Sequence, residues 1–140
     1  MARRVFFSFH YERDNQRASV VRNSWVTKPN REDAGFIDAA TWEKIEKQGE
    51  VAITRWIDKQ LEGTSVTAVL IGTETSSRKW VRYEIIKSYE RGNGVFGITI
   101  HRIKDFGGHT DTAGDLFFGE ISKNSRGESQ YFYHLFPTYD

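Results

Sequence analysis

The chain has 140 residues, enough for one domain that buries most of its apolar surface without staples. With 20 basic and 19 acidic residues its net charge is +1, which gives no electrostatic case for a nucleic-acid or anionic-membrane partner. The absence of cysteine excludes disulfides, thiolate metal sites and cysteine nucleophiles.

In chain order, the apolar stretch after Arg3-Arg4 is too short and too soon interrupted for a signal peptide. No run approaches transmembrane length, so a soluble cytoplasmic domain is expected. Val5 to Phe9 reads as a first strand, and Asp14 to Trp25 as a helix with Ala18, Val21 and Trp25 at helical spacing. Thr27 to Gly35 is expected to be loop, followed by a short strand at Phe36-Ile37 that ends at Asp38. A helix over Thr41 to Leu61 places Ile53, Trp56, Ile57 and Leu61 on one face, with Gly49 weakening or breaking it near its start. Val66 to Ile71 is a wholly apolar run that predicts a buried parallel strand, and Val95 to Ile100 reads the same way. Between them a helix opens near Thr75 to Trp80 and ends at Gly92-Asn93-Gly94. Beyond His101, Phe106 to Arg126 reads as glycine-rich loop with one short strand around Leu116 to Phe118. Tyr131 to Tyr139 is too aromatic for a disordered tail and should pack on the domain, although it stops abruptly, as if an element that covers it were missing.

This alternation predicts a flavodoxin-like α/β domain, a doubly wound parallel sheet of four to five strands with helices on both faces. One domain spans 1–140, with its α/β core over 1–104 and an irregular aromatic segment over 105–140. In such sheets the ligand crevice lies outside the carboxyl ends of the strands. The residues expected there are Ser8, Phe9, His10 and Tyr11, then Asp38, Gly72 to Trp80, and His101. Trp80 and Glu84 lie four apart on one helix face, close enough for Glu84 to project toward the crevice. The alternative is a core Trp80 and an ordinary solvated Glu84; likewise Asp38 could be a helix N-cap. The match of Gly92 to Gly97 to G-x-G-x-x-G carries nothing, because it lies between a helix and a strand rather than between a strand and a helix. The four histidines lack metal-ligand spacing, and no nucleophile–base pair is visible. A single placed carboxylate among aromatics and hydroxyls suits a reaction that stabilises positive charge on a sugar.

The blocks Val5 to Tyr11, Val21 to Val26, Thr64 to Gly72 and Trp80-Val81-Arg82-Tyr83-Glu84-Ile85 resemble the TIR-like domain of the Thoeris anti-phage system, the ThsB family, over about residues 1–104. The Trp-Val-x-x-Glu-Ile stretch is similar to a signature of TIR domains more widely. The resemblance implies a catalytic Glu84 acting on NAD as substrate rather than as resident cofactor. Ser8, Phe9, His10, Tyr11, Asp38 and Trp80 would contact NAD, with no metal. It further implies a cyclic ADP-ribose isomer as the signal to a separate effector. Low basal activity follows, with a crevice completed by self-association or a phage component. Contact surfaces would then come from Thr27–Gly35, Phe106–Arg126 and the C-terminal aromatics. Arg78 stands where many TIR domains have Ser, so contacts of that loop do not carry over. Members of the family continue past Asp140, usually with a Trp and a closing helix. The competing expectation is a non-catalytic TIR module that signals by assembly.

Overall fold

The computed structural model describes residues 3–26, 31–34 and 39–139. In chain order these form β1 Arg3–Ser8, α1 Asn15–Val26, β2 Arg31–Ala34, α2 Ala39–Lys47, α3 Glu50–Leu61 and β3 Val66–Ile71. A 3-10 turn at Thr75–Ser77 leads into α4 Lys79–Glu90 and β4 Gly94–Thr99. The remainder is β5 Glu120–Lys123, β6 Ser129–Tyr131, α5 Phe132–Leu135 and β7 Thr138–Tyr139. Five strands make one parallel sheet in the order β2-β1-β3-β4-β7, while β5 and β6 form a separate antiparallel hairpin. This is the expected flavodoxin-like order.

The faces of the sheet follow from alternation along β3. Ala68 and Leu70 join the core that holds Phe6, Phe9, Ala18, Trp42 and Ile57. Val69 and Ile71 join the other, with Val81 and Ile85 of α4 and Phe118 and Phe132 from the C-terminal segment. Burying an isoleucine such as Ile57 contributes about 1.5–3 kcal/mol. Because α3 presents Ile53, Ile57 and Leu61 along one stripe, its fit to the sheet follows directly from its spacing.

Three expectations change, and the break suggested at Gly49 is located. Arg31–Ala34, expected as part of a loop over Thr27 to Gly35, is the second strand, whereas Phe36-Ile37 lies outside the described residues. That strand pairs with β1 alone at the sheet edge, so it needs no continuous apolar run. The helix expected over Thr41 to Leu61 is two helices, parted where Gly49 takes φ 96°. Leu116 to Phe118 does not pair as a strand; the Asp115 carboxylate accepts the Phe117 N–H at 2.9 Å, and Phe118 buries its ring 4.9 Å from Phe132. Finally, β3 is buried almost throughout, but β4 is not. Its Phe96 and Ile98 face a groove of about 480 Å3 shared with Val20, Val21 and Trp25 of α1.

The C-terminal aromatic run packs onto the sheet, and β7 becomes its last strand. The seat is Gly97, whose N–H donates to the Pro137 carbonyl at 2.8 Å. A Cβ there would lie 2.8 Å from Ile71 Cδ1, 3.2 Å from Thr138 Oγ1 and 3.3 Å from Phe132 Cζ. Gly97→Val is therefore expected to cost about 1–3 kcal/mol by overpacking. It should also loosen β7, seen as lower unfolding stability together with faster proteolysis after Arg126. Unchanged values for both would contradict this seat.

Candidate active site

Helical spacing puts Val81, Glu84, Ile85 and Ser88 on the buried face of α4, so Glu84 occupies a core position with no exposed surface. It meets the end of β1. Ser8 Oγ donates to Glu84 Oε1 at 2.8 Å, and the Tyr11 hydroxyl donates to Oε2 in a short hydrogen bond. Ser8 is itself wholly buried and registered opposite Val69 of β3. Tyr11 stands on the tight turn after β1, where the Asp14 N–H donates to the His10 carbonyl at 2.9 Å. Its ring is held by Phe9 and Trp42, each at 4.6 Å between centroids, and by Trp56 at 5.7 Å.

Burial dominates the electrostatics. Desolvation pushes the Glu84 carboxyl up to about 8, although the Tyr11 and Ser8 hydrogen bonds pull the other way. At neutral pH the closed site thus holds a neutral carboxyl. Desolvation and the Glu84 charge likewise raise the Tyr11 phenol well above its ordinary value.

Of the residues expected at the site, the structure joins Ser8, Phe9, Tyr11 and Glu84 in one cluster. His10 is largely buried beside it, but its Nδ1 accepts the Arg13 N–H at 3.2 Å, and burial followed by Arg78 lowers its pKa. Trp80 turns to another surface: it packs edge-to-face on Tyr83 at 5.7 Å, with Lys79 Nζ 4.8 Å over its ring. The shallow pocket that Trp80 lines, with Tyr83 and Ile86, does not include Glu84. Asp38 lies outside the described residues. Glu84 is neither solvated nor open to a crevice, so the expectation that it projects toward a crevice is corrected to a sealed carboxyl.

Sequence reasoning missed the polar cluster beside this site. Asp14, just before α1, is 1% exposed and approaches Gly72 so closely that a Cβ there would lie 2.2 Å from its Oδ2. Desolvation raises its pKa to about 6, countered by Arg13 and Arg17. Those arginines contact the segment 101–115. Arg17 donates to the carbonyls of Ile103 at 2.7 Å and His109 at 2.8 Å, and Arg13 pairs with Asp111 at 2.7 Å and Glu74 at 2.6 Å. The four-residue spacing of Arg13 and Arg17 at a helix start was the available signal; the long-range partners left none. Among the described residues no group of three or more carboxylates or imidazoles is placed to hold a metal ion. None of their helices is long and apolar enough to cross a membrane.

Residues 6–105 match the family described as "Thoeris protein ThsB, TIR-like domain". A protein of Bacillus cereus (strain MSX-D12), named "Putative cyclic ADP-D-ribose synthase ThsB1", is 51% identical over 115 residues, 81% of this chain. The chain spans 60% of the length of that relative.

A carboxyl raised on folding favours its protonated form in the native state. Its stabilising effect is complete below the ordinary carboxyl range and is lost as pH rises toward the folded pKa. Glu84 thus makes stability fall up to about pH 8, whereas Asp14 does so only up to about pH 6. Glu84→Gln should remove the decline between those two values and reduce it to the Asp14 share between the ordinary carboxyl range and about pH 6. Urea unfolding across this range checks it; parallel wild-type and variant curves would refute the burial-driven shift.

Proposed function

The chain belongs to the TIR-like domain family of Thoeris ThsB proteins, and from that membership we propose that it is a cytoplasmic anti-phage enzyme that cleaves NAD. Its product would be a cyclic ADP-ribose isomer, a nucleotide signal to a separate effector protein. The observation that supports this most is a wholly buried carboxyl at the strand ends, Glu84, gripped by Ser8 and Tyr11.

In this reading the bond that breaks joins ribose C1′ to the nicotinamide nitrogen. Nicotinamide leaves neutral with the bond pair, and positive charge develops at C1′. Glu84, ionised once the site opens to water, binds the ribose hydroxyls and stabilises that charge; a preorganised carboxylate of this kind is worth several kcal/mol. A nucleophilic atom of the same molecule then bonds to C1′ and sheds its proton to solvent, giving the cyclic isomer; water in its place gives ADP-ribose. Phe9 and His10 belong to the same loop and, with Trp80 and Asp38, are the further NAD contacts of this reading.

The sealed, neutral state of Glu84 supports low basal activity, with self-association or a phage component opening the site. The same sealing favours a second reading, a non-catalytic module that signals by assembly.

Turnover of NAD, resolved by product mass at several protein concentrations with and without lysate of phage-infected cells, separates the two. The enzyme reading expects triggered turnover that falls by roughly 100-fold or more in Glu84→Gln. The variant should keep its fold, since a neutral amide replaces a carboxyl that is neutral in the closed state. A module would signal equally well with either residue and consume no NAD.

A further inference from the structure

Segment 101–115 runs across the carboxyl ends of β1 and β3, where an open α/β sheet holds its ligand. It is fastened there mainly by polar contacts. The Phe106 N–H donates to Gln16 Oε1 at 2.8 Å and the Thr73 hydroxyl donates to the Thr112 carbonyl, while within the segment the Asp111 N–H donates to the His101 carbonyl at 2.7 Å. Gly114 lies against β3's end so tightly that a Cβ would stand 2.0 Å from the Gly72 carbonyl oxygen. Ile103 packs against the core, while Phe106 is 79% exposed.

The strap's charges face two guanidiniums. Arg17 is only 6% exposed, and a buried cation persists only if its donors are met. Among the described residues its partners besides Asp14 come from the strap: the Ile103 and His109 carbonyls, with Asp105 at 3.9 Å and Asp111 at 3.7 Å. Arg13, one turn earlier, pairs with Asp111. Both arginines stand at the start of α1, where the helix dipole already disfavours cations and favours an anion. Two carboxylates thus sit where two negative charges are called for, the charge carried by the pyrophosphate of a dinucleotide. Asp14 Oδ1, and Nδ1 of the strap's own first residue, His101, are buried and make no hydrogen bond among the described residues. A groove of about 410 Å3 opens alongside, lined by Arg13, Gln16, Arg17, Asp105 and Phe106.

We propose that segment 101–115 is a built-in substitute for the substrate's pyrophosphate, and that Arg13 and Arg17 bind that pyrophosphate when the strap lifts. This rests on the dinucleotide reading above and adds to it the anion-binding residues and an autoinhibitory contact. Asp14 Oδ1 is then available to accept a hydroxyl of the adjoining sugar.

The test measures binding of ADP, with adenosine as the phosphate-free control, by calorimetry on the full chain, with unfolding curves alongside. Asp105→Asn with Asp111→Asn removes the competing charges, and Gly114→Ala lifts the strap without altering any charge. Either change should tighten ADP binding by at least about fivefold, the most that a single exposed ion pair contributes, and leave adenosine unaffected. Adding Arg13→Gln should abolish the gain. Equal gains for adenosine, unchanged ADP affinity, or lost stability without tighter binding would each overturn the proposal and leave the strap a structural brace. Should ADP respond as expected while NAD is never cleaved in a Glu84-dependent way, the enzyme reading fails and the anion site stands. The reverse pattern removes only the strap.

Discussion

A carboxyl cut off from water must find hydrogen bonds within the protein or give up its charge, and Glu84 does both. Much of the architecture is arranged around that group. The Ser8 hydroxyl is in place because β1 is registered against β3. The Tyr11 hydroxyl is in place because Trp42 of α2 and Trp56 of α3 clasp its ring. The carboxyl itself arrives on α4, whose Val81 and Ile85 are fixed in the core on the other side of the sheet. Elements from both layers are thereby tied to one polar cluster, and the packing of large aromatics around Tyr11 supplies the energy that keeps water out.

The same rule governs the neighbouring cluster with the opposite sign. Arg17 is buried as a cation, so the chain must bring it acceptors, and it does so by laying a long irregular segment across the strand ends. A connection of this length without regular structure would be a weakness if it served only to join β4 to β5. Its carbonyls and carboxylates give it a second use. The exposed Arg13–Asp111 pair contributes little net stability, whereas the acceptors given to the buried Arg17 cannot leave unless another anion takes their place.

How much of this could be read in advance depended on the range of the interaction. Val66 to Ile71 declared itself because a strand buried on both faces needs an unbroken apolar run, and its bounds matched. Gly49 announced the break between α2 and α3 because only glycine takes that φ without strain. Glu84 was legible from helical spacing and the strand-end rule, but its sealing was not. Tyr11 and Trp42 are distant in sequence, and nothing local says that they close over it. Arg31–Ala34 escaped because an edge strand requires only backbone pairing, which leaves no hydrophobic signature. Trp80 misled for the opposite reason: sharing a helix face with Glu84 did not make them share a pocket, since Lys79 and Tyr83 took up its ring. The strap contacts join residues some 86 and 92 positions apart and are beyond any periodicity argument.

The two seals are carried by one short stretch of chain. Ser8 and Tyr11 close over Glu84, and Arg13 and Arg17 hold the strap, with Asp14 between them. The turn that sets Tyr11 is itself braced by two contacts: the Arg13 N–H to His10 Nδ1, and the Asp14 N–H to the His10 carbonyl. A strap that lets go of Arg13 leaves its guanidinium held by Glu74 alone and so loosens the residue whose backbone braces that turn. Loosening of the turn readmits water to Glu84, and with water the reason for its raised pKa disappears. In the proposed release, freeing the arginines for an anion and restoring the charge of the carboxylate are thus consecutive results of one displacement. That order suits an enzyme whose charged residues should meet only when a substrate is there to use them.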